Sequence, residues 1–187
     1  THTTMSKHWL RKWPNIIKGQ MAQYPDQHWV SDITYIKTEE GNCYLNMITD
    51  AYSRKIVGYA IDNTMETDRM IGALKMATAQ RKDVTKSTIH HSDRGLQYCS
   101  KEYGQMTLEN NIRLSMTENG DPYENALAER MNRTIKEEFG MDRTLKSRLQ
   151  VHQLVKESIF LYNHKRPHLA LKMKTPEEVH NKKIPAT

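Results

Sequence analysis

The 187-residue chain carries 28 Lys and Arg against 22 Asp and Glu, a net charge of +6 with 37% hydrophobic residues, and its mean hydropathy is −0.81. That length suits one domain with a sizeable core and an extra arm. It holds no apolar run near the ~20 residues of a membrane span, no signal-peptide core at its polar, basic N-terminus, and only Cys43 and Cys99, which form neither a metal motif nor a disulfide framework.

A reducing, cytoplasmic setting is expected from that cysteine usage. The chain begins Thr1-His2-Thr3-Thr4 without an initiator Met and is expected to be part of something longer. Charge is unevenly spread. Residues 1–25 carry four cations and no acid, residues 26–129 carry 11 cations and 16 acids, and residues 130–187 carry 13 cations and 6 acids. An acidic middle between basic flanks suggests a cation site in a protein that holds a polyanion.

Taken in order, residues 1–25 read as a basic, aromatic arm with Trp9, Trp13 and Tyr24, interrupted by Pro14 and Pro25. The β-branched and aromatic run 28–37 predicts a strand. A turn at Glu39-Glu40-Gly41-Asn42 leads to a second strand over 43–49, and Asp50-Ala51-Tyr52-Ser53 turns into a third over 55–61. The period then changes. Met70, Ile71, Leu74 and Ala77 make a helical stripe over 64–82, with Thr64 as cap and Glu66 and Asp68 in the first turn. Residues 87–91 predict a short buried strand. A helix from Ser100 turns Tyr103, Met106 and Leu108 inward, and 112–116 is a fifth strand.

Asp121-Pro122-x-Glu124 has the form of a capping box with Pro at the first helical position, and predicts a helix running to about Phe139 and stopping at Gly140. A second box, Ser147-x-x-Gln150, opens a helix with the stripe Val151, Leu154, Val155, Ile159 and Tyr162, ended by Arg166-Pro167. The basic tail is expected to be extended, with one helical turn at 177–180 after Pro176. The order β-β-β-α-β-α-β-α-α implies an α/β fold: a five-stranded mixed sheet, a three-strand antiparallel meander plus two parallel strands, with helices on both faces. The expected division is an arm 1–25, a core 26–165 and a basic tail 166–187.

Three acids stand out. Asp32 interrupts an apolar strand, where Asp is disfavoured and a buried carboxylate is costly without a partner or a metal. Asp93 follows the fourth strand, where functional groups of α/β folds collect, and Gly95 leaves room for a tight turn or a ligand. Glu129 lies on a helix face with Asn125, Arg133 and Lys136, opposite the apolar stripe Leu127, Met131, Ile135 and Phe139. Singly, each has an ordinary explanation: an edge acid, a turn acid, a surface pair with Arg133. Were strands one and four neighbours, all three would converge. Such a cluster needs divalent cations, and hard oxygen ligands suit Mg2+ or Mn2+. Two such ions can drive phosphodiester chemistry, and the basic flanks would hold the polyanion.

The segments Trp29-Val-Ser-Asp32-Ile-Thr-Tyr-Ile, Ile48-Thr-Asp50-Ala-Tyr-Ser-Arg54-Lys-Ile-Val-Gly58, His91-Ser-Asp93-Arg-Gly95-x-Gln97-Tyr98 and Asn125-Ala-x-Ala-Glu129-Arg resemble the integrase catalytic core of bacterial insertion-sequence transposases, relatives of retroviral integrases. The tail Tyr162-Asn163-x-x-Arg166-Pro167-His168 is similar to theirs as well. The match covers about residues 26–180, and 35 residues separate Asp93 from Glu129.

The resemblance implies a ribonuclease-H-like fold, an Asp32, Asp93, Glu129 catalytic and metal triad, and two Mg2+ or Mn2+ ions with DNA bound. It implies cleavage of double-stranded transposon ends and strand transfer to a target, by a homo-oligomer on DNA in a bacterial, nucleoid-associated setting with no membrane. It also implies an N-terminal helix-turn-helix region in full-length relatives, outside this chain. Arg94, Asn125, Arg133 and Lys136 are the expected DNA contacts. His91, Gln97 and Tyr98 are expected on the substrate side or just behind the acids. Arg130-Met131 departs from the Ser-aromatic pair of many relatives, and Glu124 competes with Glu129 but points elsewhere on the helix. His90 and His91 are expected to face inward and outward, and His164-x-x-x-His168 is not expected to bind zinc because Pro167 breaks its helix. The competing readings are a nuclease of the same fold without strand transfer and a non-catalytic DNA-binding module.

Overall fold

The computed structural model describes residues 12–64, 67–95, 97–118 and 125–182. The expected Asp121–Glu124 capping box, Trp9, and the Glu66, Asp68 and Met70 side chains lie outside what is described.

Strands β1 (His28–Thr38), β2 (Gly41–Asp50) and β3 (Ile56–Asp62) form the meander. Helix α1 (Thr67–Gln80), β4 (Thr88–Ser92), α2 (Lys101–Glu109) and β5 (Ile112–Met116) follow, and then α3 (Ala126–Glu138), α4 (Arg148–His164) and α5 (Pro176–His180). The five strands lie in the order β3-β2-β1-β4-β5. β1–β2 and β2–β3 are antiparallel, and β1–β4 and β4–β5 are parallel. β1 and β4 are therefore neighbours, the condition on which convergence of the acids depended.

Alternation along the strands splits the core into two layers. On one face Trp29, Ile33, Ile48 and Val57 pack against Ala73, Leu74 and Ala77 of α1 and Tyr103 of α2. On the other, Ile36, Leu45, Met47 and Ile56 meet Met131 and Ile135 of α3 and Val151, Val155 and Ile159 of α4. Asp32 shares its side of β1 with Val30 and Ile36, and so faces α3. At Gly58 an added Cβ would sit 2.2 Å from the Ala73 carbonyl oxygen. Only hydrogen there lets α1 lie this close to β3.

Several expectations change. Thr64 caps nothing described: its hydroxyl and N–H both donate to Asp62. Leu108 is 74% exposed rather than inward, because the helical turn that buries Tyr103 and Thr107 points it to solvent. Ser147 accepts from the Gln150 N–H, but the Gln150 side chain accepts from Lys146 instead of completing the box. His90 and His91 are both fully buried, on opposite faces, since β4 is covered on both sides.

The segment 166–182 does not run extended. It turns through a short 3-10 segment, Leu169–Leu171, into α5, which Thr175 and Glu178 cap reciprocally. Polar contacts fasten it to the turn between β2 and β3. The His180 Nδ1 lies 3.0 Å from the Ser53 hydroxyl, and Lys55 pairs with Glu177 at 2.8 Å. The arm also docks: Met116 N–H donates to the Pro14 carbonyl and Ile16 N–H to Ser115 Oγ, with Trp13 against the core.

Candidate active site

The parallel register sets Val30 beside His91. Two residues on stand Asp32, still in β1, and Asp93, the first residue past β4. Neighbouring strands run ~4.8 Å apart, so pairing alone brings these carboxylates to adjoining positions. Asp93 follows directly on β4 and accepts a 3.0 Å hydrogen bond from the Gly95 N–H. A Cβ on Gly95 would stand 3.0 Å from both Asp93 Oδ1 and Gln97 Oε1. The glycine is needed there for space, not for a left-handed φ. Arg94 donates through Nε to the Thr117 carbonyl at 2.7 Å, tying the loop after β4 to the end of β5.

Glu129 is exposed in the first turn of α3. It shares a cleft of about 410 Å3 with Asp32, Asn132, Arg133 and Lys136. Burial first, and then the negative charge of Asp93, push the Asp32 carboxyl up to about 7, with a smaller push from Glu129. Hydrogen bonds from the Ile33 backbone and from Asn132 oppose that rise. The three acids therefore feel one another. They do not close on a single point: among the described residues, the His, Cys, Asp and Glu groups with ligand atoms all within 4.8 Å reduce to Asp26, Asp50 and His180.

That second cluster sits at the start of β1. Asp50 accepts from the Ser53 N–H and hydroxyl and from the Asp26 N–H, and Trp29 donates to Asp26. Its oxygens are engaged in fastening α5 and the β2–β3 turn. Half-buried Asp32 and Asp93, with exposed Glu129 in the cleft beside them, form a mutually repelling set of carboxylates instead. Carboxylates alone, without sulfur or imidazole, fit a hard divalent cation.

The other expected residues divide. Arg133 is exposed on the cleft rim. Lys136 donates to the Tyr35 carbonyl at 3.0 Å and lies over the Tyr35 ring, so its charge stays at the cleft wall. Asn125 is 4% exposed and donates to the Ser31 carbonyl, pinning the start of α3 to β1. His91 is buried, with Nδ1 2.8 Å from Ser115 Oγ, and Gln97 is buried. Tyr98 is fully enclosed on the opposite sheet face and donates to Asn46 Oδ1. It lies behind the acids, near enough that both Asp93 and Asp32 help raise its phenol above the usual range, after burial and Tyr103.

Sequence reasoning missed Asn132. Its Nδ2 donates to Asp32 Oδ2 at 2.9 Å. The available signal was an amide on the buried stripe of α3, next to Met131 and three residues beyond Glu129.

An integrase core domain profile matches residues 22–122, and a second integrase core domain profile matches residues 110–176. The transposase for insertion sequence element IS629 of Shigella sonnei is 34% identical over 88% of this chain and 55% of its own length. That for IS904 of Lactococcus lactis is 33% identical over 92% of this chain and 70% of its own. The chain thus spans between about half and two thirds of these relatives. A chain of the simian T-cell lymphotropic virus intasome, solved in complex with PP2A regulatory subunit B56 gamma, superposes with a TM-score of 0.74 at 17% identity, over 99% of this chain and 63% of that one. The HTLV-2 integrase catalytic core domain, solved in complex with magnesium, superposes with a TM-score of 0.68 at 18% identity, over 86% of this chain and 99% of that one. The fold is accordingly the ribonuclease-H-like fold of retroviral integrase cores. With more than half of its residues matched by that profile, the chain belongs to the integrase core domain family, which it shares with insertion-sequence transposases.

Proposed function

We propose that this chain is the catalytic core of a DNA transposase, cutting transposon ends and joining them to a target. The observation that carries this is the parallel β1–β4 pairing, whose last pair Val30–His91 lies two residues before Asp32 and Asp93, with the Asp32 carboxyl pushed to about 7 among its acidic neighbours. Divalent cations, Mg2+ or Mn2+ and two in number with DNA bound, would activate the attacking oxygen and stabilise the leaving oxygen of a phosphodiester. Asp32 of β1 and Asp93 just past β4 would hold the cations, with Glu129 of α3 as the third ligand. Glu129 stands apart in the cleft and would complete the cation site from α3. Asn132 keeps the Asp32 carboxylate oriented. Arg133 takes a DNA phosphate, and Lys136 holds positive charge against it. Arg94 acts near the end of β5, and His91, Gln97 and Tyr98 support the acids from behind.

Hydrolysis at a transposon end frees a 3′-hydroxyl, and that hydroxyl then attacks the target strand. The protein's share is positioning and charge stabilisation, as in phosphoryl transfer generally. The same reading makes residues 26–165 the catalytic core between the arm 1–25 and the tail 166–187. It gives double-stranded transposon ends and target as substrates, a homo-oligomer on DNA, and a cytoplasmic, nucleoid-associated setting in a bacterium. Among the described residues no helix is long and apolar enough to cross a membrane.

The test is Asp93→Asn. It should abolish Mg2+-dependent end cleavage while leaving DNA binding in EDTA intact. Cleavage at the parental rate in this variant would end the assignment.

A further inference from the structure

Ser31 stands directly before Asp32 on β1. By strand alternation its side chain turns away from the cleft, toward the α1 and α2 side of the sheet, and it is fully buried. The backbone pairing of β1 with β4 ends at Val30–His91, short of both Asp32 and Asp93. One residue further along β1, side chains make the link between the strands: Ser31 Oγ lies 2.8 Å from His90 Nε2.

Two more ties meet at Ser31. Tyr98, in the loop after β4 and five residues past Asp93, hydrogen-bonds the same hydroxyl and donates to Asn46 Oδ1 on β2 at 3.0 Å. The Ser31 carbonyl accepts a 3.0 Å hydrogen bond from Asn125 Nδ2. Asn125 is the N-cap of α3, four residues before Glu129. One residue of the Asp32 strand thus touches the strand that leads into Asp93, the loop that leaves it, and the start of the helix that carries Glu129.

The side-chain ties form a chain in which each hydroxyl proton is used once. Tyr98 gives its own to Asn46 and so accepts from Ser31. Ser31 then accepts from His90, which puts the ring proton on Nε2 and leaves Nδ1 to accept from the Tyr103 hydroxyl at 3.2 Å. This direction requires a neutral imidazole. Burial, and then the charge of His91, push His90 down to about 3, so the ring is neutral at pH 7. Tyr98 and Tyr103 meet edge to face with ring centroids 5.5 Å apart, which braces both phenols. Burying such groups is costly unless each is paired, and packing alone would be served by apolar residues. Here the pairings at Ser31 run to the segments that carry the other two acids.

We propose that Ser31 is a positioning residue for the acids, tying the Asp93 loop and the start of α3 to the Asp32 strand so that the three carboxylates stand at set separations before a cation arrives. The role of those carboxylates as cation ligands rests on the function proposed above, whereas the tie itself does not. A site whose ligands come from three segments loses precision when one of them shifts, so the hydroxyl matters more to cation binding than to folding.

The test compares two identical changes in the full chain. Ser31→Ala removes the hydroxyl at the hub. Ser158→Ala removes a 1% exposed hydroxyl in α4 that donates to the Leu154 carbonyl at 2.6 Å, outside the chain of bonds. In EDTA, NMR follows the Gly95 amide, which reports the Asp93 carboxylate that accepts from it, and the Asn125 side-chain amide. Both should shift in Ser31→Ala and neither in Ser158→Ala. Calorimetric titration without DNA should show Mn2+ bound about tenfold more weakly by Ser31→Ala, and less than about twofold more weakly by Ser158→Ala. Tyr98→Phe keeps the ring but breaks the link from the other side. It should reproduce the Gly95 shift and the weaker Mn2+ binding, and it decides the matter if Ser31→Ala does not fold. An unmoved Gly95 amide, parental Mn2+ affinity, or equal loss in the two Ser→Ala variants would each overturn the proposal. A parent protein that binds no Mn2+ while the two amides still move in Ser31→Ala would remove the catalytic reading and leave the tie standing.

Discussion

The Asn132 side chain on α3 donates a 2.9 Å hydrogen bond to the Asp32 carboxylate on β1, across 100 residues of sequence. This bond favours the charged form of an acid that burial and Asp93 hold near neutrality. Asn132→Leu should weaken Mn2+ or Mg2+ binding about tenfold, the usual scale for losing a partner of a metal-binding group. DNA binding in EDTA should not change. Calorimetric titration with Mn2+ decides it, and an unchanged affinity would show that Asn132 only packs.

The Asp32 carboxyl has a sign that can be read in stability. Its folded value is raised from 3.8 to about 7. Its contribution to stability is therefore fully present below 3.8 and is lost as pH rises through about 7. The metal-free protein should become less stable between about pH 4 and 7. Asp32→Asn should be more stable than the parent at pH 8 by on the order of 2–4 kcal/mol, with the gap closing toward pH 4. Urea unfolding of both proteins in EDTA across that window checks the sign. A variant less stable than the parent at pH 8 would contradict it.

Two glycines should separate site from scaffold. Gly95→Ala places a Cβ 3.0 Å from Asp93 Oδ1, a side-chain atom able to shift. It should cost under ~1 kcal/mol of stability and about tenfold or more in cleavage rate, because the carboxylate moves. Gly58→Ala places a Cβ 2.2 Å from a backbone carbonyl of α1. It should cost ~1–3 kcal/mol or more through overpacking. Melting temperatures and single-turnover cleavage on both variants give the comparison.

His180 fastens the tail. It is 4% exposed, 3.0 Å from Ser53 Oγ and 3.7 Å from Asp50. His180→Ala leaves the buried Ser53 and Asp50 short of a neighbour and should cost ~1–3 kcal/mol. Proteolysis at segment 166–182 should accelerate well before the core unfolds. If that segment stays as resistant as in the parent, α5 is held by Lys55–Glu177 and its apolar contacts instead.

The strands, their order and the two helical stripes were legible because period and turn chemistry are local. The meander turns, the Ser100 and Ser147 caps and the stripe Met131, Ile135 are each set within a few residues. Asp32 and Asp93 also drew notice, since a carboxylate in an apolar strand or beside a glycine after a strand is unusual where it stands, whereas Glu129 on its helix reads as an ordinary surface acid near Arg133. Against that, Leu108 looked apolar and inward but faces water, and Asn125 looked like a surface contact but is buried under α3. Burial depends on which neighbour arrives, and no local pattern encodes that.

What the chain alone determined was the elements of the fold, with Asp32 inside one strand and Asp93 just past another. The tertiary structure decided that β1 pairs with β4 in the register that adjoins Asp32 and Asp93. It supplied Asn132 as the partner of Asp32, held Glu129 apart in an open cleft, and folded the basic tail back onto the turn between β2 and β3. These are contacts between residues tens of positions apart. They follow from how twisted layers pack, and the energy that selects them is spread over the two core faces rather than written in any one stretch.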